Sequence, residues 1–206
     1  MRVSLENIGK KFGREWIFRG VSHVFETGKQ TVILGANGSG KSTLLQVIAG
    51  SLMQGEGKAF YEWNAMKIGQ EEVYRHISYA SPYLDLMDDF TLMESITFHG
   101  QFKKWRNNLR ANDVLELSGL AHAKNKQLKN FSSGMRMRTK LALAILSDTP
   151  LLLLDEPCSN LDHQACEWYG KLVTDNHSGR TIIVCSNQVP EEYFFCGEEL
   201  RMENYK

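Results

Sequence analysis

The stretch Thr31-Val32-Ile33-Leu34-Gly35-Ala36-Asn37-Gly38-Ser39-Gly40-Lys41-Ser42-Thr43 decides the fold. Thr31–Leu34 is an unbroken apolar run, the composition of a strand buried on both faces. Gly35–Ser42 fits G-x-x-x-x-G-K-S, and Leu44, Leu45, Val47, Ile48 and Ala49 continue it as a buried helix that stops at Gly50. A strand, a glycine-rich loop and a helix in that order make a cradle for phosphate. The glycines let the backbone turn its N–H groups inward, and the helix adds its positive end. Lys41 supplies a charge for the β- and γ-phosphates, and the Ser42 hydroxyl a ligand for Mg²⁺. The candidate nucleotide-binding residues are therefore Gly35, Ala36, Asn37, Gly38, Ser39, Gly40, Lys41, Ser42 and Thr43. A glycine-rich turn without function is the alternative. Chance yields this pattern in about one chain in a hundred of this length, and the strand–helix setting lowers that further.

A second apolar run, Leu151–Leu154, ends in Asp155-Glu156. An Asp at the carboxyl end of a buried strand can help hold Mg²⁺ beside the loop serine. The adjacent Glu can orient and deprotonate an attacking water. Thr181–Cys185 reads as another buried strand, and Ala165–Val173 between them as a helix. Arg2–Ile8 and Val21–Phe25 alternate as half-buried antiparallel strands do, and Lys58–Trp63 and His76–Ala80 read as further strands. From about Leu84 to Ser147 the pattern turns helical. Val114, Leu115 and Leu117 mark one helix ended near Gly119. A second starts at Ser132 or Ser133, with Met137, Leu141, Ala144 and Ile145 on one face and Arg136, Arg138 and Lys140 mostly off it. The expected fold is α/β: a phosphate-loop NTPase core with a mostly parallel sheet, an N-terminal antiparallel β part and an inserted helical subdomain. The expected organisation is one domain over 1–206, its core about 1–83 and 148–206 and its helical subdomain about 84–147.

Composition agrees with that reading. Apolar residues make up 42% of 206, enough for a substantial core and too many for disorder. Lysine and arginine total 24 against 24 acids, so the chain carries no net charge and no bulk attraction to nucleic acid. The start lacks the apolar block of an export signal, and no apolar run approaches the ~20 residues that cross a bilayer. Cys158, Cys166, Cys185 and Cys196 form no C-x-x-C pair and stand at no zinc-finger spacing to histidine, so reduced thiols and a cytoplasmic location are expected.

Taken together, the chain resembles the nucleotide-binding subunit of ATP-binding cassette (ABC) transporters over essentially its whole length. Phe131-Ser132-Ser133-Gly134-Met135 stands where that family has its signature L-S-G-G-Q, at a similar spacing ahead of Asp155. Ser159-Asn160-Leu161-Asp162 resembles the D-loop S-A-L-D. Phe12 sits where the family stacks an aromatic residue on adenine, with Trp16 as its competitor, and Asn187 stands in place of the switch histidine. The resemblance implies a head-to-tail pair of cassettes in which Ser132, Ser133, Gly134 and Asp162 of one subunit meet ATP held by the other. ATP would close the pair and hydrolysis would release it. Glu156 and Asn187 are the implied catalytic positions, with Ser42 and Asp155 holding Mg²⁺.

Three positions depart from the family's pattern. Pro82 takes the place of the Q-loop glutamine and has neither amide nor N–H; Ser81 beside it can recover part of the lost contact. The signature has Ser133 for its first glycine and Met135 for its glutamine. Asn187 can hydrogen-bond but cannot become cationic. Together they predict a slow ATPase. The implied partners are a second cassette, homo- or heteromeric, and an integral-membrane permease that would hold the chain on the cytoplasmic face. The apolar and acidic stretch Tyr83–Ile96 is the expected dock. A soluble cassette used in regulation, repair or translation is the alternative, and a phosphate-loop kinase a more distant one. A kinase has no need of the 132–134 and 159–162 segments.

Overall fold

Residues 1–205 are described by a computed structural model. The chain opens with β1 (Arg2–Phe12) and β2 (Glu15–Phe25), an antiparallel pair running from Val3 opposite Phe25 to Phe12 opposite Glu15. Both outrun the expected strands, because register shifts after Leu5 and Ile8 break the alternation that marks a strand in sequence. Then come β3 (Gln30–Leu34), α1 (Lys41–Ile48), β4 (Glu56–Trp63), β5 (Met66–Ile68) and β6 (Ile77–Ala80). Next are α2 (Leu92–Phe102), α3 (Ala111–Leu117) and α4 (Ser133–Ile145). The chain closes with β7 (Leu151–Asp155), α5 (His163–Asn176), β8 (Thr181–Ser186), α6 (Pro190–Tyr193) and β9 (Glu198–Arg201).

The strands form two sheets. One is antiparallel, in the order β2-β1-β4-β5; the other is parallel throughout, in the order β6-β7-β8-β3-β9. The parallel sheet explains the unbroken apolar runs. Ile33, Leu151, Leu153, Ile183 and Cys185 point to one face, where they pack with α1 and the antiparallel sheet. Val32, Leu34, Leu152, Leu154, Ile182 and Val184 point to the other, where they pack against α4, α5 and the helices before them. Both faces are covered, so the middle positions of β3, β7 and β8 are apolar whichever way they point. Each such side chain contributes roughly 1.5–3 kcal/mol relative to exposure. The geometry puts the carboxyl ends of β3, β7 and β8 side by side, the place where open α/β sheets bind ligands.

Two buried cations fasten the helical segment to the sheet. Arg180, just before β8, is fully buried and donates to the carbonyls of Thr149 (2.9 Å) and Ile145 (2.6 Å) and to the hydroxyls of Ser78 and Thr149, both at 2.9 Å. It satisfies a carbonyl at the end of α4 that has no partner within the helix. Burial pulls its pKa down to about 9. Lys140 is the second. It is buried, and its ammonium donates to the carbonyl of Pro82 at 2.7 Å, so α4 turns this charge onto the loop after β6 and not to solvent. Among the described residues, no helix is long and apolar enough to cross a membrane.

Candidate functional site

The loop after β3 wraps the start of α1. Gly40 takes φ 96 at the helix N-cap, and no side chain caps that end. A Cβ on Gly40 would come within 2.8 Å of Ile17 Cγ2 and 2.9 Å of Phe18 Cδ1, so only glycine lets the loop lie this close to β2. The Lys41 ammonium folds back on the loop, donating to the carbonyls of Gly35 (2.8 Å) and Ala36 (3.2 Å). It stands 3.9 Å from Glu156 Oε1. Asn37, Gly38, Gly40, Lys41, Ser42 and Thr43 line an open cavity of about 260 Å³, together with Glu156 and Tyr83. In the same loop the Ser39 hydroxyl is buried against Gly35 without a hydrogen-bond partner.

Asp155 ends β7 fully buried, with both carboxylate oxygens in use. Oδ1 accepts from Ser42 at 2.9 Å and Oδ2 from Ser81 at 3.1 Å. Burial raises its pKa above the usual carboxylate value, against the pull of the two hydroxyls and Lys41 and with the push of Glu156. One carboxylate and two hydroxyls around a phosphate loop are hard oxygen donors of the kind Mg²⁺ takes when phosphates complete its shell. Glu156 is half-buried, and its backbone has φ 43, a left-handed conformation uncommon for a residue with a side chain.

A second cleft lies apart from the first and shares no lining residue with it. Ser132, Ser133, Gly134, Met135, Arg138, His122 and Asp162 line it. Ser132 caps α4, its hydroxyl accepting from Met135 N–H at 3.2 Å, and Asp162 caps α5, its Oδ1 accepting from Ala165 N–H at 2.8 Å. A Cβ on Gly134 would meet the carbonyl oxygen of Asn160 at 2.9 Å, so the glycine lets these two caps touch. Phe12 is half exposed at the end of β1. Asn187 is exposed one residue past β8.

The structure thus brings Lys41, Ser42 and Glu156 to one cavity, with Asp155 buried behind Ser42, and Ser132, Ser133, Gly134 and Asp162 to another. Sequence reasoning missed Tyr83 as a wall of the phosphate cavity; an exposed aromatic in a loop carries no pattern that announces it. It also missed Glu192, which is buried in contact with Cys158 and Ser186. An acid just inside a one-turn helix gives no sign of burial.

A phosphate loop at the carboxyl edge of a parallel sheet, with an acid-tipped neighbouring strand, defines a P-loop nucleotide-binding protein. Residues 18–159 match the family model described as ABC transporter. The chain is 32% identical over 206 residues to the cytochrome c biogenesis ATP-binding export protein CcmA of Mesorhizobium japonicum, with 98% of each chain covered. It is 30% identical to the linearmycin resistance ATP-binding protein LnrL of Bacillus subtilis, covering 94% of this chain and 64% of the relative. Its fold matches that of MJ0796, a bacterial ABC transporter cassette solved as a dimer, with TM-score 0.80, 24% identity and 97% and 94% coverage. The chain belongs to the ABC transporter family, as its ATP-binding and ATP-hydrolysing subunit.

Proposed function

We propose that the chain works as one of a pair of cassettes seated on a separate membrane-spanning subunit at its cytoplasmic face, and that ATP-driven closure of the pair moves that subunit's cargo. The observation that carries this is the separation of the two clefts. Ser132, Ser133, Gly134 and Asp162 line one and Lys41, Ser42 and Glu156 the other, so a single chain offers half of two sites. Two chains arranged head to tail complete both. The exposed apolar side chains Tyr83, Leu84 and Met87, followed by Phe98 and Phe102 on α2, supply a surface for the membrane subunit. Relatives are named for export in cytochrome c biogenesis and for arabinose import, so we assign the cargo to the membrane subunit and not to this chain. Residues about 1–83 and 148–206 form the nucleotide-binding core on this reading, and about 84–147 the helical subdomain that carries the signature.

The geometry of the two clefts supports the following assignment of roles. The loop N–H groups from Gly38 to Thr43 surround the β- and γ-phosphates. Lys41 exchanges its two backbone carbonyls for phosphate oxygens. Ser42 and Asp155 hold Mg²⁺, with Ser81 steadying the far carboxylate oxygen. The metal supplies neutralisation of charge on the phosphate oxygens. Glu156 accepts the proton of the attacking water. Ser132 and Ser133 and the N–H groups at the start of α4 meet the partner's γ-phosphate, and Asp162 meets the partner near the same place. Phe12 stacks on adenine. Pro82, Met135 and Asn187 remove contacts to the reacting phosphate, so turnover is slow by the standards of the family; one such contact is worth roughly 10²–10³ in rate.

The test is Mg-ATP binding to purified protein and to Lys41→Ala. The parent binds and the variant loses about a hundredfold in affinity. Equal affinity for both overturns the reading.

A further inference from the structure

Glu192 is an acid that the nucleotide reading leaves unused. It is 3% exposed, although it comes from the single turn of α6. Its carboxylate joins two loops that are distant in sequence. Oε1 accepts from the backbone N–H of Cys158 at 3.0 Å, and Oε2 accepts from the Ser186 hydroxyl at 2.5 Å. Ser186 Oγ itself accepts from Val189 N–H at 3.1 Å, closing the turn that carries Asn187. The residue is fixed at its backbone too, where the Tyr169 hydroxyl donates to its carbonyl at 2.8 Å.

What this bridge holds is the turn that begins at Glu156. That residue has φ 43. Its N–H donates to the Cys185 carbonyl at 2.9 Å, and its own carbonyl accepts from Ser159 N–H at 2.9 Å. A left-handed backbone at a residue with a side chain persists only where its surroundings over-determine it. Cys158, two residues on, would otherwise leave its N–H without an acceptor. Burying a carboxyl is costly, and this one's pKa is pushed up to about 7, by burial first and with Glu156 and Asp155 adding to the push. A well-packed apolar side chain would avoid that cost, so the carboxyl has work to do in holding these loops.

We propose that Glu192 is a positioning residue for ATP hydrolysis: its carboxylate pins the Glu156–Cys158 turn to the Ser186–Val189 turn and keeps the side chains of Glu156 and Asn187 in register. It touches neither nucleotide nor metal. The proposal rests on the reading of Glu156 as the base. Loss of the bridge lets the strained turn relax, which moves the base and leaves the phosphate loop where it is.

The experiment compares steady-state ATP hydrolysis and Mg-ATP binding in the parent, Glu192→Ala, Glu192→Gln and Ser186→Ala. Glu192→Ala lowers kcat by about tenfold or more, since small misplacements of a catalytic group cost this much, while KM and Mg-ATP affinity stay within about twofold. Glu192→Gln restores most of kcat, because its amide oxygen accepts from Cys158 and its amide N–H₂ donates to Ser186. Ser186→Ala reads the bridge from its other end should Glu192→Ala not fold, and it too lowers kcat at unchanged affinity. A Glu192→Ala kcat within about twofold of the parent, a Glu192→Gln as slow as Glu192→Ala, or a fall in affinity equal to the fall in rate each overturns the proposal. A parent that binds Mg-ATP and is not slowed by Glu156→Gln removes the reading on which the proposal stands. That result is distinguishable, because it appears before any change at Glu192.

Discussion

The Ser81 hydroxyl donates to Oδ2 of Asp155 at 3.1 Å, on the carboxylate oxygen opposite the one that takes Ser42 at 2.9 Å. The Q-loop place falls on Pro82, which has no side chain to offer, and its carbonyl is taken by Lys140. Ser81, one residue earlier and just past β6, therefore makes the polar contact on this side of the site. Ser81→Ala leaves a buried carboxylate oxygen unpaired, a loss of about 1.5–3 kcal/mol for a bond to a charged group. The expected outcome is about tenfold weaker activation of hydrolysis by Mg²⁺, with binding of metal-free ATP unchanged, read from Mg²⁺ titrations at fixed ATP. An unchanged Mg²⁺ midpoint removes Ser81 from the metal site.

Glu156 stands 3.9 Å from the Lys41 ammonium, and both line the phosphate cavity. Glu156→Gln keeps the shape and removes the base. Hydrolysis falls by about 10²–10⁴, the usual contribution of a positioned general base. Mg-ATP affinity holds, and the closed pair accumulates as a dimer in size-exclusion chromatography with ATP. If the variant turns over at the parent rate, Glu156 is not the base.

Much of this was legible because burial and chemistry coincided in single stretches. The runs Val32–Leu34, Leu151–Leu154 and Ile182–Cys185 are apolar at every position because the parallel sheet is covered on both faces, and that pattern survives translation into sequence. The start of α4 was legible because Ser132 is its cap. By contrast β9 reads Glu-Glu-Leu-Arg, with Leu200 alone buried, so its parallel pairing to β3 leaves no apolar run in the sequence. The helix α2 carries a local signal too, since Thr91 and Glu94 form a reciprocal cap at its start. Glu192 and Tyr83 owe their places to contacts across the fold, which no local pattern encodes.

The raised pKa of Glu192 makes a prediction about stability. Its ordinary value is 4.5 and its folded value about 7. Between these the folded protein keeps a proton that the unfolded chain has released, so this group's contribution to stability falls as pH rises from about 4.5 to about 7 and stays low above that. The full difference amounts to about 3 kcal/mol. Glu192→Gln cannot titrate, so its stability relative to the parent should improve by up to that amount between pH 4.5 and pH 8. Urea unfolding of both proteins at the two pH values checks this. A difference that does not change with pH means that the Glu192 carboxyl titrates normally.

Phe12 and Trp16 compete for the adenine, and their surroundings separate them. Trp16 already has two cations against its ring, Lys11 at 5.4 Å and Arg19 at 4.6 Å, and Arg19 is held there by Glu56 at 2.7 Å. Its edge also lies within 2.9 Å of where a Cβ on Gly9 would stand, so it packs across β1. Phe12 has one cation, Lys10 at 5.0 Å, and is half exposed at the strand end. A base that stacks must displace whatever covers the ring, and Phe12 has less to displace. Stacking of a base on an aromatic side chain is worth about 1–3 kcal/mol by alanine substitution. Phe12→Ala should therefore weaken ATP binding by about tenfold, while Trp16→Ala leaves it within about twofold and lowers the melting temperature instead. Titration of both variants with ATP and with inorganic triphosphate separates the ring from the phosphate contacts, because triphosphate affinity should not respond to Phe12. The reverse pattern, with Trp16→Ala losing ATP and Phe12→Ala keeping it, would move the adenine to the other ring.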